Sequence, residues 1–328
     1  MDTKFVERLC CPETGQVLSL EQGEFDGAGR IIRSGYLVSQ DGHYRYPIRK
    51  GIARFVPEEN YADNFGMQWA RFSRTQLDSH SNLSVSSDRF WSSTNWNSGG
   101  IRGKWVLDVG CGSGRFAEIA LLAGANVVAL DYSSAVDACY ENLKHYPNLH
   151  VVQGDIYALP FPQHSFDFVY SLGVLQHTPN VAKAFESLPK MLDAGGQLCV
   201  DYYEKTFWSL FLPKYWLRPL TSRIEPKKLF RILELLIPSL LFISRVLDRI
   251  PLIGRILKRI VPVANYEGIY SLDSKQLREW ALLDTFDWLS PAYDQPQNVE
   301  TATRWLIAAN LQNIEVLKEG HLVARGTK

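Results

Sequence analysis

From position 105 to 116 the chain reads Trp-Val-Leu-Asp-Val-Gly-Cys-Gly-Ser-Gly-Arg-Phe, and no other stretch limits the possible folds as much. Strand-forming residues run into Asp108, glycines follow at Gly110, Gly112 and Gly114, and Phe116 to Ala120 takes up helical spacing. The glycines therefore sit at a strand-to-helix turn. Without Cβ atoms a ligand can lie directly on that backbone, and the unpaired N–H groups of the helix start offer it a partly positive surface. Such a turn suits an adenine-containing cofactor, and the neighbouring residues must decide which one.

Strand and helix patterns alternate from Gly103 onward: strand over 104–109, helix over 114–123, strand over 126–131, helix over 134–144. This is a βαβ unit, and Asp131 closes its second strand where a carboxylate accepts from both ribose hydroxyls of an adenosine. A dinucleotide fingerprint read from Gly110 would need glycine where Arg115 stands, which argues against a nicotinamide enzyme. A third strand is expected over 151–156 and a fourth ending at Ser171. A fifth is expected over 195–204, and a terminal hairpin over 314–318 and 322–325.

Taken together, Asp108-x-Gly-x-Gly-x-Gly, Asp131, Gly154-Asp155-Ile156, Leu159-Pro160-Phe161 and Ser165-Phe166-Asp167 resemble the class I S-adenosylmethionine-dependent methyltransferases, in particular the branch of ubiquinone and menaquinone biosynthesis enzymes. The resemblance implies an α/β fold, a Rossmann-like seven-stranded sheet ending in an antiparallel hairpin. It implies S-adenosylmethionine as cofactor, with Gly110, Gly112 and Gly114 against its methionine part and Asp108 on its ammonium group. Asp131 would take the ribose, Asp155 the adenine amino group, Ile156 the ring, and Ser171 would complete the set. His177, on the loop after the fourth strand, is placed either to accept a proton from an attacking hydroxyl or to orient that loop. Tyr203, at the exit of the fifth strand, is a further substrate-side candidate.

The flanks give five parts: a small β-rich unit over 1–60, a lid and linker over 61–102, the cofactor core over 103–204, an insert over 205–265, and the carboxyl-terminal part of the core over 266–328. Cys11-Pro12-Glu13-Thr14-Gly15 and the stretch from Tyr46 to Phe55 resemble the small zinc-ribbon partner subunit of certain RNA and protein methyltransferases. Thr14 stands where that ribbon has a second cysteine, and Cys10, Cys11 and His43 do not make a tetrahedral ligand set, so no metal is expected. The aromatic residues of 61–72 at helical spacing suit packing against a neighbouring domain, but Phe65-Gly66-Met67-Gln68-Trp69 also resembles the helix that covers the cofactor in such enzymes, and 73–100 reads as a flexible, partly ordered loop. Residues 284–294 read as an aromatic and acidic loop returning to the site mouth.

The insert carries twelve basic residues against Glu225, Glu234 and Asp248, and six prolines that should divide it into short helices. Its apolar run is too short and too charged to span a bilayer, but a basic amphipathic cap could rest on an anionic membrane or hold a lipid-linked acceptor. Thirty-five basic and 35 acidic residues balance over the whole chain, so no general attraction to nucleic acid is expected. An odd five cysteines and an amino terminus without an apolar signal core suit a cytoplasmic protein, peripheral at most to the inner face of a membrane. The expected reaction is methyl transfer to a small-molecule or lipid- or glycan-linked acceptor, through a hydroxyl oxygen. The alternatives are an RNA methyltransferase and a non-catalytic cofactor-binding scaffold subunit.

Overall fold

The computed structural model describes residues 1–328 except 58, 59, 61, 207–211 and 252, and the side chains of 63 and 255 are also left aside. The first residue of the expected lid segment and part of the insert thus lie outside the described residues. Among the described residues eleven strands form one sheet, in the order β1-β2-β3-β4-β7-β6-β5-β8-β9-β11-β10. The strands are β1 (Leu18–Phe25), β2 (Ile32–Ser39), β3 (Arg45–Arg49), β4 (Ile52–Arg54), β5 (Trp105–Val109), β6 (Asn126–Asp131), β7 (Leu149–Gln153), β8 (Phe166–Ser171), β9 (Leu192–Tyr202), β10 (Gln312–Lys318) and β11 (Leu322–Thr327).

The last seven in chain order reproduce the expected seven-stranded sheet. Strands β7, β6, β5, β8 and β9 run parallel, and the β10–β11 hairpin adds antiparallel to β9. The expected total of seven is corrected to eleven, because the amino-terminal unit is an antiparallel meander whose last strand joins the same sheet. Ala53 pairs with Val152 and Arg54 with Gln153, in parallel. Arg54 secures the junction, donating to Gln153 Oε1 (2.8 Å) and to Asp137 (2.9 Å). Cys10 and Cys11 are buried within this unit, and Cys11 Sγ lies 3.3 Å from the Tyr46 hydroxyl.

Twelve α-helices complete the described chain: α1 (Asp63–Arg71), α2 (Asp78–Ser81), α3 (Val85–Thr94), α4 (Ser98–Ile101), α5 (Arg115–Leu122), α6 (Ala135–Leu143), α7 (Val181–Ser187), α8 (Pro213–Thr221), α9 (Pro226–Asp248), α10 (Gly254–Leu257), α11 (Ser274–Leu289) and α12 (Val299–Ala308). The segment expected as a flexible loop over 73–100 instead carries α2, α3 and α4. Phe90 and Trp96 are buried there, in aromatic contact with each other, with Tyr170 and, for Trp96, with Phe168 of β8. Burial of those rings offsets the poor helix propensity of a Ser- and Asn-rich stretch.

The insert also differs from expectation. Pro238 does not end its helix, and α9 runs 23 residues through it. Proline removes one backbone donor and crowds the preceding turn. Leu233, Ile237 and Leu241 are nonetheless buried against α11, sharing a core with Ala281, Leu283, Phe286 and Leu289, and that packing holds the helix together across the interruption. Helix α11 continues to Leu289 from an Asp273–Gln276 capping box, so the first half of the expected 284–294 loop is helical.

Candidate cofactor and acceptor site

The parallel strands end on one side of the sheet, and a cavity of about 450 Å³ opens there. Its floor is the turn after β5. Gly110, Gly112 and Gly114 have φ values of +87°, +53° and +94°, backbone conformations that side chains disfavour. Gly110 and Gly112 line the cavity together with Cys111 and Ser113. A Cβ on Gly112 would stand 3.0 Å from Trp69 Nε1, so the turn and helix α1 approach almost backbone to ring. Gly114 lies beside the cavity, at the start of α5, with Leu143 too close to admit a Cβ.

Asp131 lines the cavity and is held rigidly. Its Oδ2 accepts from Gly112 N–H (2.9 Å), and its Oδ1 accepts from the N–H (2.8 Å) and the hydroxyl (2.7 Å) of Ser133. Ile156 and Gly154 form the wall at the end of β7, with Leu130 and Tyr132 across from them. Asp155, between the two, accepts from Tyr157 N–H (2.9 Å) and is not among the lining residues. Ser171 is buried behind the floor, donating to the Val109 carbonyl (2.8 Å). Asp108 is also behind the floor and 1% exposed. Burial pushes its pKa up to about 8, against a lowering by the nearby Tyr170 hydroxyl, and the Asp131 charge adds to the rise.

Among the residues lining this cavity, Ser113 Oγ and both amide atoms of Gln68 are buried with no hydrogen-bond partner among the described residues. Buried polar atoms are rarely left unpaired, so this cluster fits a ligand carrying its own donors and acceptors. With a carboxylate at Asp131, an apolar wall at Ile156 and a glycine turn for a close backbone approach, the lining fits S-adenosylmethionine. Gln68 and Trp69 line the cavity from α1. Asn64 ties this helix to Ser290 at the end of α11 (3.1 Å).

The other half of the cavity is built from elements far apart in sequence. His177 is buried, with its Nδ1 3.0 Å from the Tyr293 carbonyl. A carbonyl can only accept, so Nδ1 carries the proton. Nε2, on the other side of the ring, is buried without a partner among the described residues. Phe65 and Tyr203 pack against this ring at centroid distances of 5.4 and 5.5 Å. The Tyr203 hydroxyl donates to Asp287 (3.2 Å), and burial, then the Asp287 charge, holds its pKa well above that of a free phenol.

Sequence reasoning did not single out Arg89, Arg115, Asp284 and His321, all of which line this half. Arg89 makes a 2.6 Å ion pair with Asp201, whose carboxylate is fully buried and also accepts from Gly173 N–H. Arg115 donates to the Gln76 side chain (2.9 Å) and to Ser86 (2.9 Å), and burial, with Arg89 nearby, lowers its pKa to about 10. Asp284 accepts from Tyr266 and from Gln76 (3.2 Å), and burial lifts it to about 6. Burial beside Arg89 pushes His321 down to about 4. Arg115 follows the glycine turn, His321 lies in the terminal hairpin turn and Asp284 opens the acidic 284–294 stretch, whereas Arg89, within the Ser-rich 73–100 stretch, carries no such signal.

Residues 107–200 match the family model described as a methyltransferase domain. The chain is similar to the sterol 24-C-methyltransferase of Pneumocystis carinii, 38% identical over 103 residues that make up 30% of this chain and 27% of that protein. It is also similar to the demethylmenaquinone methyltransferase of Beutenbergia cavernae, 34% identical over 135 residues, or 40% of this chain and 55% of that protein. The chain thus spans between about a quarter and about half of the length of these curated relatives. Among solved structures it is similar to a Haemonchus contortus phosphoethanolamine N-methyltransferase in complex with phosphoethanolamine and S-adenosylhomocysteine, at 20% identity and a TM-score of 0.36, over 46% of this chain and 34% of that one. It is similar as well to the pyocyanin biosynthetic protein PhzM, at 12% identity and a TM-score of 0.42, over 74% of this chain and 55% of that one. The segment from β5 to β9 is a class I S-adenosylmethionine-dependent methyltransferase domain, and its cofactor is S-adenosylmethionine.

Proposed function

We propose that the whole chain is a methyltransferase acting on a small-molecule or lipid- or glycan-linked acceptor, and that the atom methylated is a hydroxyl oxygen. The observation that carries this reading is the placement of His177. Its Nδ1–H is fixed on the Tyr293 carbonyl, leaving a buried and unpartnered Nε2 at the cavity wall. When bound, S-adenosylmethionine supplies an electrophilic methyl group on a sulfonium that is its own leaving group. With its Nδ1–H on Tyr293, a neutral His177 would accept the acceptor's hydroxyl proton on Nε2. Helix α1, through Gln68 and Trp69, covers the reaction from water. Tyr203, with its hydroxyl on Asp287, lies against the His177 ring and orients the acceptor beside it.

Asp131 would take the ribose of the cofactor, the Gly110–Gly112 backbone its methionine part and Ile156 the adenine ring, with Asp108 and Ser171 buried beneath the floor and Asp155 set back from the lining. The remaining lining is apolar over Trp280, Leu283 and Trp288 and polar at Arg115, Tyr266 and Asp284, a mixture suited to an acceptor with both a ring or chain and oxygen groups.

The test is to incubate the purified protein and S-adenosylmethionine with a metabolite and lipid extract, and to follow label from the cofactor methyl and mass gains of one methyl group. Transfer to an oxygen, located by fragmentation, supports the reading. Transfer to carbon or nitrogen refutes the hydroxyl assignment, and cofactor binding without transfer to any acceptor class refutes the enzymatic one.

A further inference from the structure

The insert has two apolar faces, and only one is used. Leu229, Leu233, Ile237, Leu241 and Ser244 of α9 are buried against α11, whereas Ile232, Leu235, Leu236, Phe242, Ile243 and Val246 are exposed. Leu235 is 79% and Phe242 63% exposed. At 100° per residue the second set makes a continuous stripe on the side of α9 away from the core, and Arg231, Arg249 and Arg245, the last paired with Glu267, run along one flank of it together with Glu234, which pairs with Arg71. Beyond α9 the same segment exposes Ile250, Ile253, Ile256 and Ile260. Scattered exposed apolar side chains are ordinary, but a contiguous set on one basic segment marks a binding surface.

A second cavity, of about 720 Å³, lies within this segment and meets the first at Tyr203 and Trp288, which line both. Its walls are apolar at Leu212, Val261, Val263 and Ile269. At its margin Arg249 and Arg259 are exposed and carry no ion pair among the described residues.

We propose that this face docks on an anionic lipid bilayer, α9 lying in the plane of the interface, so that the second cavity receives an amphiphilic acceptor from the lipid and passes its head past Tyr203 and Trp288 to His177. The exposed cations that carry no ion pair among the described residues, Arg249 and Arg259 with them, select this occupant. A second copy packed through the same face would set like basic flanks against one another, while a bilayer with anionic headgroups complements them and takes up the apolar stripe. No described helix is long and apolar enough to cross a membrane, so the helix lies on the surface. The delivery of the acceptor rests on the methyl-transfer reading; the docking does not.

The experiment is sedimentation of the full chain with phosphatidylcholine vesicles, with and without phosphatidylglycerol, beside sedimentation velocity of the protein alone. The expected result is binding only to the anionic vesicles, weakened by added salt. Leu235→Glu and Phe242→Glu should each lower partitioning by about tenfold, since each removes one large side chain's burial from the lipid. Both residues are exposed, so the variants should keep the wild-type melting temperature and S-adenosylmethionine affinity. No binding to anionic vesicles overturns the proposal, as does self-association that Leu235→Glu abolishes and vesicles do not compete with. Vesicle binding without methyl transfer leaves docking standing and removes only the delivery step, so the two failures are distinct.

Discussion

Replacing Asp108 by Asn tests the electrostatics beneath the cofactor floor most directly. The carboxyl is buried under the glycine turn with one oxygen unpaired, and its pKa is near 8 instead of the usual 3.8. An acid whose pKa is raised by folding stabilises the folded state fully below its unfolded pKa, and that contribution is lost as the pH rises toward the folded value. From about pH 4 to about pH 8 wild type should therefore lose roughly 1.4 kcal/mol per pH unit through this one group. The Asn variant has no proton to lose, and the other titrating groups cancel in the comparison.

Urea denaturation of both proteins at pH 5 and pH 7 should show wild type losing roughly 2–3 kcal/mol relative to Asp108→Asn. At pH 7 the carboxyl of the cofactor-free protein is still mostly protonated. If it faces the cofactor's ammonium group, binding must release that proton, so wild-type affinity should rise between pH 6 and pH 8 while the variant's affinity is lower and flat. Parallel stability curves at the two pH values would refute the raised pKa, and a pH-independent wild-type affinity would refute the proton release.

His177→Ala should lower methyl transfer by about 10²- to 10⁴-fold with S-adenosylmethionine affinity unchanged in calorimetry, and His177→Gln should fail to restore the rate if proton removal is the role. Gly112→Ala places a methyl group 3.0 Å from Trp69 Nε1 on the surface meant for the cofactor. It should weaken cofactor binding by about tenfold or more in calorimetry, and also lower stability by about 1–3 kcal/mol because a side chain is strained at φ +53°. Arg89→Met leaves the buried Asp201 carboxylate unpaired and should destabilise the protein by about 3 kcal/mol or more, read from the urea midpoint.

Strands β5 to β9 were legible because parallel strands buried on both faces read as apolar runs, and because glycines mark where the chain must turn under a ligand. The merger of β4 with β7 was not legible. It rests on two residue pairs and the reach of Arg54, contacts between distant segments that leave no local periodicity. Pro238 misled for a related reason: local propensity ends a helix there, and packing against α11 overrides it. In the site, the floor was written in one short motif, whereas Arg89, Arg115, Asp284 and His321 come from four separate elements and meet only once the sheet and α11 are assembled. His177 was visible as a residue, but the state of its ring depends on the carbonyl of Tyr293, 116 positions away.

The joining of the meander to the main sheet also sets an order of events during synthesis. Arg54 and its partner Gln153 are 99 positions apart. At about 5–20 residues per second, β4 leaves the ribosome roughly 5–20 s before β7 exists to cover it. Until then the apolar edge at Ile52 and Ala53, fully buried in the finished molecule, is an open strand that another nascent chain can pair with. Production of this protein should therefore depend on elongation rate and on chaperones that shield that edge, and substitutions that slow the appearance of β7 should reduce yield without altering the stability of the folded molecule.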